Sequence, residues 1–373
     1  MKAQKKRTWA EINLRHLEHN VRNMQSLLPE GCRYLGVVKA NAYGHGAVEV
    51  ARRLVEIGVT NLAVACYDEA KELRDGGIDT EILILGPAPA YLAREIAQLG
   101  NVCLAVGSLR LARALERELE GTNMTLGIHL KIETGMGRTG FAAIREEEVA
   151  EAAEAMCLPH LDAQGIFTHF CVSDEFGDPF TQTQFERFLD TIEALETTSG
   201  KKFRLHHCAN SGAMVNYPEM YLDMVRPGIA QYGLYPAKER GALDLKPVMR
   251  LMTRVAEITD HLPGDTVSYG RTYTCQEPRR FAVLPIGYAD GLHRTLSNKL
   301  EVIVRGHKVR QCGRICMDMC MVDITDLTDV EVGDEVEIFG GQQSVDVLAQ
   351  AAGTISYELL CAVSPRVPRV YIG

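Results

Sequence analysis

YLGVVKA (34–40), followed at once by GAVEVARRLVEIG (46–58), sets the pattern that decides the fold. The first run is short and almost continuously apolar, as a strand covered on both faces must be. The second is amphipathic at helical spacing. Moving outward, NLAVACY (61–67) is followed by the helical DEAKELRDGG (68–77), and ILILG (82–86) by YLAREIAQLG (91–100). VCLAVG (102–107) precedes SLRLARALERELEG (108–121), and TLGIHLKIE (125–133) leads to EEEVAEAAEAM (146–156). DAQGIFTHF (162–170) leads to TQTQFERFLDTIEAL (181–195), FRLHHCAN (203–210) to GAMVNY (212–217), and the last run is MVRPGIAQYG (224–233). Eight strand-like runs, each but the last followed by a helical pattern, imply a parallel sheet. Eight units in roughly 200 residues point to α/β architecture with a closed, TIM-like (β/α)8 barrel. Periodicity cannot count closure, so an open, doubly wound sheet is the alternative.

Beyond about residue 240 the pattern changes. RVAEITDHL (254–262), DTVSYG (265–270), RRFAVLPIGY (279–288), LEVIVRGHKVRQCG (300–313), CMVDIT (320–325) and DEVEIFGG (334–341) are short strands broken by Gly, Pro and Asp. Only SVDVLAQAAG (344–353) reads as helix. The expected division is therefore a barrel over 10–238 and a mainly β domain built from 1–9 and 239–373.

With 373 residues the chain is long enough for two domains. A net charge of -9 and the absence of any basic patch interleaved with aromatics exclude nucleic acid as an expected partner. No run approaches the roughly eighteen apolar residues of a membrane helix. MKAQKKRTWAEI (1–12) is basic but precedes no apolar stretch, so no signal peptide is read. Eleven scattered cysteines then indicate reduced thiols and a cytoplasmic protein. Cys312, Cys316 and Cys320 lack the C-x-x-C spacing of structural zinc sites and read as apolar thiols; no metal ligand is assigned.

Lys39 closes the first strand, and barrel enzymes carry their chemistry at the carboxyl ends of the strands. Poor solvation there lowers a lysine's pKa and suits it to imine chemistry, although a lysine reaching out to solvent has the same sequence appearance. The neighbours decide. VVKANAYGHG (37–46) resembles the cofactor-lysine segment of the alanine racemases. LKIETGMGRTG (130–140), FTHF (167–170), HCANSGA (207–213), VRPGIAQYG (225–233), VSYGRTYT (267–274), PIGYADG (285–291), GRICMD (313–318) and TISYELL (354–360) resemble further segments of that family in its order.

The resemblance implies a pyridoxal 5'-phosphate (PLP) enzyme that interconverts L- and D-alanine. Lys39 would hold the cofactor covalently and act as base on one face of the substrate Cα, and Tyr269 as base on the other. Racemisation needs such a pair, because one rigid group cannot easily reach both faces. A tyrosine near pKa 10 needs cations to serve as a base at neutral pH, and His169, Arg226 and Arg138 are implied for that network. Arg226 would also face the cofactor's pyridine nitrogen, where most such enzymes place a carboxylate. Ser211, the amides of Gly228 and Ile229, Tyr43 and Tyr357 would hold the phosphate. Arg138 and the Met317 amide would bind the substrate carboxylate, and Tyr288 would narrow the entrance. Lys131 aligns with a lysine carbamylated in the family; pairing with Glu133 or Asp318 is the alternative. A head-to-tail homodimer sharing its sites is implied too. Two departures stand out: Gln231 where an apolar residue is expected, and Arg271 after SYG. The rival readings are a serine or broad-specificity racemase of the same fold and a non-catalytic PLP carrier. The carrier would lack the second domain and a counterpart of Tyr269.

Overall fold

The computed structural model describes residues 6–143, 145–236 and 243–373. The chain forms two compact units, one of Glu18–Ala42 and Ala47–Lys246, the other of the residues through Leu17, Tyr43–Gly46 and Pro247–Gly373. The boundary expected at 238/239 lies outside the described residues.

After β1 (Thr8–Asn13), the first unit contains the parallel strands β2 (Arg33–Val37), β3 (Asn61–Val64), β4 (Glu81–Ile84) and β5 (Val102–Val106). It continues with β6 (Leu126–Glu133), β7 (Leu161–Phe167), β8 (Leu205–His207) and β9 (Met224–Val225). Each pairs in parallel with the next through β8, and β9 returns to pair with β2 at Met224↔Arg33. Between β8 and β9 the seam is carried by Asp223 N–H to His206 O (3.1 Å) and Arg226 N–H to Ala209 O (2.8 Å). The sheet is a nearly closed eight-stranded barrel, and the open-sheet alternative is excluded. Every residue of β3 and β5 is buried, which explains why β5 is apolar throughout and β3 is apolar after Asn61.

The connecting helices follow from their caps and faces. Leu109–Leu119 starts on Ser108, whose hydroxyl accepts the Leu111 N–H, and buries Leu109, Ala112, Leu115 and Leu119 at helical spacing. Pro179–Ser199 starts on the Asp178 cap with proline in its first turn and stops at Gly200, φ 69°. The eighth barrel strand is only two residues long. Pro227 has no N–H for a ladder, and the chain turns into a short 3-10 helix at Ile229–Tyr232.

The second unit holds a nine-stranded sheet. Its strands are β1, β10 (Met249–Arg254), β11 (Glu257–His261), β12 (Arg279–Leu284), β13 (Glu301–Val304), β14 (His307–Cys312), β15 (Cys320–Asp323), β16 (Glu335–Phe339) and β17 (Arg369–Ile372). The order is β11-β12-β15-β14-β13-β16-β10-β1-β17. β1 lies antiparallel to β10 (Ala10↔Leu251) and parallel to β17 (Ala10↔Arg369), with Trp9 fully buried.

Three sequence expectations need correction here. RVAEITDHL is not one strand: β10 ends at Arg254, and β11 begins at Glu257 with a different neighbour. DTVSYG contributes only Thr266–Val267, because left-handed φ at Ser268 and Gly270 ends the strand. A second helix, Ser356–Ala362, accompanies Val345–Ala352. Seven residues are too few for periodicity to detect. Cys312 and Cys320 are buried and Cys316 is half-buried, Cys312 packing with Val267, Cys275 and Phe281. Among the described residues no helix is long and apolar enough to cross a membrane.

Candidate active site

Lys39 stands half-buried just past the carboxyl end of β2. The four residues after it, Ala40, Asn41, Ala42 and Tyr43, all have φ of 51–53°. Left-handed backbone costs a non-glycine residue roughly 1–2 kcal/mol, so other groups must hold this turn. The Glu69 carboxylate, in the first turn of helix Tyr67–Asp75, accepts the Ala40 and Ala65 amides, each at 2.6 Å. Asn41 Oδ1 accepts the Ala47 N–H at 2.8 Å. Beneath the lysine, the Val37 carbonyl accepts Gln231 Nε2 (2.6 Å) and Tyr232 Oη (2.9 Å). Gln231, polar where an apolar residue was expected, is fully buried and accounted for by that bond.

Glu69 was not singled out in the sequence; an acid in a first helical turn looks like ordinary dipole compensation. Glu69→Gln should leave one of the two amides facing an NH2 group, at about 1–2 kcal/mol. We expect a melting temperature lower by roughly 3–6 °C in a scanning calorimeter. An unchanged melting temperature would remove Glu69 from this role.

Across the barrel, β6 carries Lys131, 4% exposed. Its ammonium lies over the Phe167 ring at 5.1 Å and donates to Ile132 O at 3.2 Å. Burial, then the neighbouring Arg226, brings its pKa down to about 7. Neither carboxylate proposed as its partner forms an ion pair with it: Glu133 accepts the Gly135 and Arg138 amides, and Asp318 pairs with Arg366 at 2.8 Å. Arg138 is exposed on the loop that Glu133 holds.

Arg226, following β9, is buried with no carboxylate within ion-pair distance among the described residues. Its guanidinium donates to His207 Nδ1 (2.8 Å), Thr168 O (2.7 Å) and Cys208 O (3.1 Å), with His169 Nδ1 at 3.5 Å. Burial lowers its pKa to about 10, which leaves it charged at neutral pH. His169 and His207 are held neutral, first by burial and then by the Arg226 charge. An arginine offers only donors, so His207 must accept at Nδ1 and carry its proton on Nε2. That proton faces His129 Nδ1 at 2.9 Å. His207 and His129 were missed in the sequence because FRLHHCAN and TLGIHLKIE do not show which residues face inward.

Ser211 Oγ accepts the Gly228 N–H at 2.8 Å, bringing the two ends of the expected phosphate site together, with Ile229 next along the chain. In the other unit, Tyr43 and Tyr357 lie with ring centroids 5.9 Å apart. Burial and Tyr357 both raise the pKa of Tyr43, which keeps its hydroxyl a donor.

The same unit gathers Tyr288, Met317 and Tyr269. Tyr288 N–H donates to Cys316 O and Ala289 N–H to Met317 O, both at 3.0 Å. Only glycine fits at 287, since a Cβ there would strike the Cys316 and Met317 carbonyls. Ser268 Oγ donates to Arg314 O at 2.6 Å, tying the turn that carries Tyr269 to the same loop. Arg271, the second departure, has φ 51° and points into solvent. Tyr269 is 70% exposed, Tyr288 43% and Met317 52%, an unusual concentration of large side chains at a surface.

Both units match a known family. Residues 12–236 match the family described as alanine racemase, N-terminal domain, and 248–371 match alanine racemase, C-terminal domain. An alanine racemase of Desulforamulus reducens is 46% identical, covering 98% of this chain and 99% of its own. Alanine racemase 2 of Caldanaerobacter subterraneus is 44% identical over 98% of this chain and 95% of its own. The alanine racemase structure of Clostridium difficile superposes with a TM-score of 0.95 at 40% identity, covering 99% of this chain and 96% of that one. The Bacillus anthracis alanine racemase with bound L-Ala-P gives 0.93 at 36% identity, covering 99% and 95%.

Proposed function

The chain belongs to the alanine racemase family of enzymes, and we propose that it interconverts L- and D-alanine with PLP, Lys39 and Tyr269 serving as opposed bases. The observation that carries this reading is Lys39 at a barrel strand's carboxyl end, braced by Glu69, in a chain matched by that family along both units. The surroundings fit PLP. A buried guanidinium held by a histidine and two carbonyls, without a carboxylate, suits a ring nitrogen that accepts rather than donates. Ser211 Oγ beside the Gly228 amide, with Ile229 next in the chain, suits a phosphate, and we assign Tyr43 and Tyr357 to the same phosphate from the family resemblance. When bound, PLP draws electron density from the substrate Cα and makes its proton removable.

Lys39 Nζ takes or returns that proton on one face and Tyr269 Oη on the other. Arg226, always a donor, would face the ring nitrogen of bound PLP and leave it unprotonated, which would limit side reactions such as transamination. We assign His169, whose Nδ1 lies 3.5 Å from the Arg226 guanidinium, to the network proposed around the tyrosine. Arg138 and the Met317 amide take the substrate carboxylate, with Tyr288 at the entrance. We assign Tyr269, Tyr288 and Met317 to the site of a second copy in a head-to-tail homodimer; their joint exposure supports this. None of the eleven cysteines forms a disulfide among the described residues, which supports a reducing, cytoplasmic setting.

We read Lys131 as carbamylated. Only the neutral amine reacts with carbon dioxide, and a pKa of about 7 frees that form as pH rises through neutrality. The carbamate resonance from 13C-labelled bicarbonate should therefore grow between pH 6 and 8 and be missing in Lys131→Ala. A pH-independent signal, or one surviving the substitution, would assign it elsewhere.

The activity is tested by adding L-alanine and, separately, L-serine to the purified protein with PLP in deuterated water. Circular dichroism and α-proton loss are then followed together. Fast loss of optical activity with alanine and slow loss with serine is the expected result. Comparable rates would make it a broad-specificity racemase, and bound PLP without either reaction would make it a carrier.

A further inference from the structure

At the amino ends of the barrel strands, opposite Lys39, three residues converge. Glu81 opens β4, Cys103 is the second residue of β5, and His129 lies midway along β6. A carboxylate oxygen, the Cys103 sulfur and a ring nitrogen of His129 all lie within 4.8 Å of one another. His129 is fully buried; Nδ1 is taken by His207, whereas Nε2 has no partner among the described residues. Gly165 makes room for this ring, since a Cβ there would stand 2.7 Å from it. A buried polar nitrogen left unbonded is costly, about 1–3 kcal/mol, and invites a ligand.

We propose that Glu81, Cys103 and His129 Nε2 form a site for a divalent transition metal of the zinc class. Carboxylate, thiolate and imidazole together are a zinc-type donor set, and zinc's bond lengths of about 2.0–2.3 Å put tetrahedral ligands about 3.3–3.8 Å apart. Closing from 4.8 Å asks each donor to move by less than about 1 Å. Glu81 is half-buried and gives access from solvent; the fourth position is left to water. The Cys103 thiol now donates to Gln164 Oε1 at 3.5 Å. As the sulfur–metal bond forms, the S–H bond breaks and its proton passes to solvent, with nothing oxidised or reduced.

The site is coupled to Arg226. In the arrangement that Arg226 imposes, His129 carries its proton on Nε2. Coordination requires that lone pair, so the proton moves to Nδ1 and points at His207 Nε2. The His207 proton then moves to Nδ1, where it opposes the Arg226 N–H. The two rings hold two protons before and after, but the bond from Arg226 to His207 is lost. Metal binding at the barrel floor therefore disturbs the guanidinium and inhibits. The inhibition rests on the role proposed for Arg226; the binding does not.

Titrating the holoenzyme with Co2+ should give visible d–d bands saturating at one ion per chain. Cys103→Ser and Glu81→Gln should each weaken binding at least tenfold, while Cys361→Ser, at an exposed thiol, should not. Zn2+ should lower racemisation severalfold, reversibly with a chelator, and leave Cys103→Ser unaffected. Bands that are missing, or equal in Cys103→Ser, overturn the site. Normal bands with undiminished activity overturn the coupling. A holoenzyme that racemises nothing before metal is added fails the proposed function instead, while the cobalt bands still report on the site.

Discussion

Lys39→Ala should lower alanine racemisation by at least about 10⁴-fold, since it removes both the covalent anchor and one of two bases. Circular dichroism of the reaction would measure it, together with loss of the visible band that a lysine-linked cofactor gives. Among the described residues, Lys131 is not placed to substitute. Lys131 is buried against Phe167 and bonded to Ile132 O, on a strand across the barrel. The fold should survive, because Lys39 is half-buried and the turn after it is held by Glu69 and Asn41 rather than by the lysine's own bulk. Retention of more than a hundredth of the activity in a folded variant would mean that another group does the chemistry.

Tyr269→Phe should reduce racemisation by about 10²–10³-fold through loss of a positioned acid/base group. Stability should change by less than about 0.5 kcal/mol, as for any exposed position, because the ring is 70% exposed. The informative readout is asymmetry. Exchange of the α-proton with deuterated solvent should persist for one enantiomer of alanine and nearly vanish for the other, since Lys39 still serves its own face. Equal loss from both enantiomers would sink the two-base assignment.

The barrel was legible in the sequence wherever a segment was long or buried on both sides. YLGVV and VCLAV read as strands because burial on two faces leaves no polar alternation, and the 108–121 helix because its apolar stripe repeats over three turns. Closure was less legible, since its last strand is two residues long and the seam beside it rests on two flanking backbone bonds. Lys39, Arg226 and Tyr269 were picked out only through a family's word order; their local sequences alone fit a surface lysine, a turn arginine and a strand tyrosine. What escaped was the supporting layer. Glu69, His207 and His129 act through partners 29, 19 and 78 positions away, and no local pattern encodes such a partner. The same applies to Gln231, whose polarity looked anomalous until the Val37 carbonyl was seen to need it.

The run of left-handed residues after Lys39 bears on how this enzyme can be made hardier. Standard practice replaces glycine to stiffen a chain, but here the reverse substitution, Ala40→Gly, lifts a steric penalty of roughly 1–2 kcal/mol at a solvent-facing position. Part of that gain, about 0.5–1 kcal/mol, is returned to the greater freedom of the unfolded chain. A thermostability screen would therefore tend to select glycine next to the lysine. Such winners would tolerate heat while holding Lys39 more loosely, so screening should score turnover alongside survival.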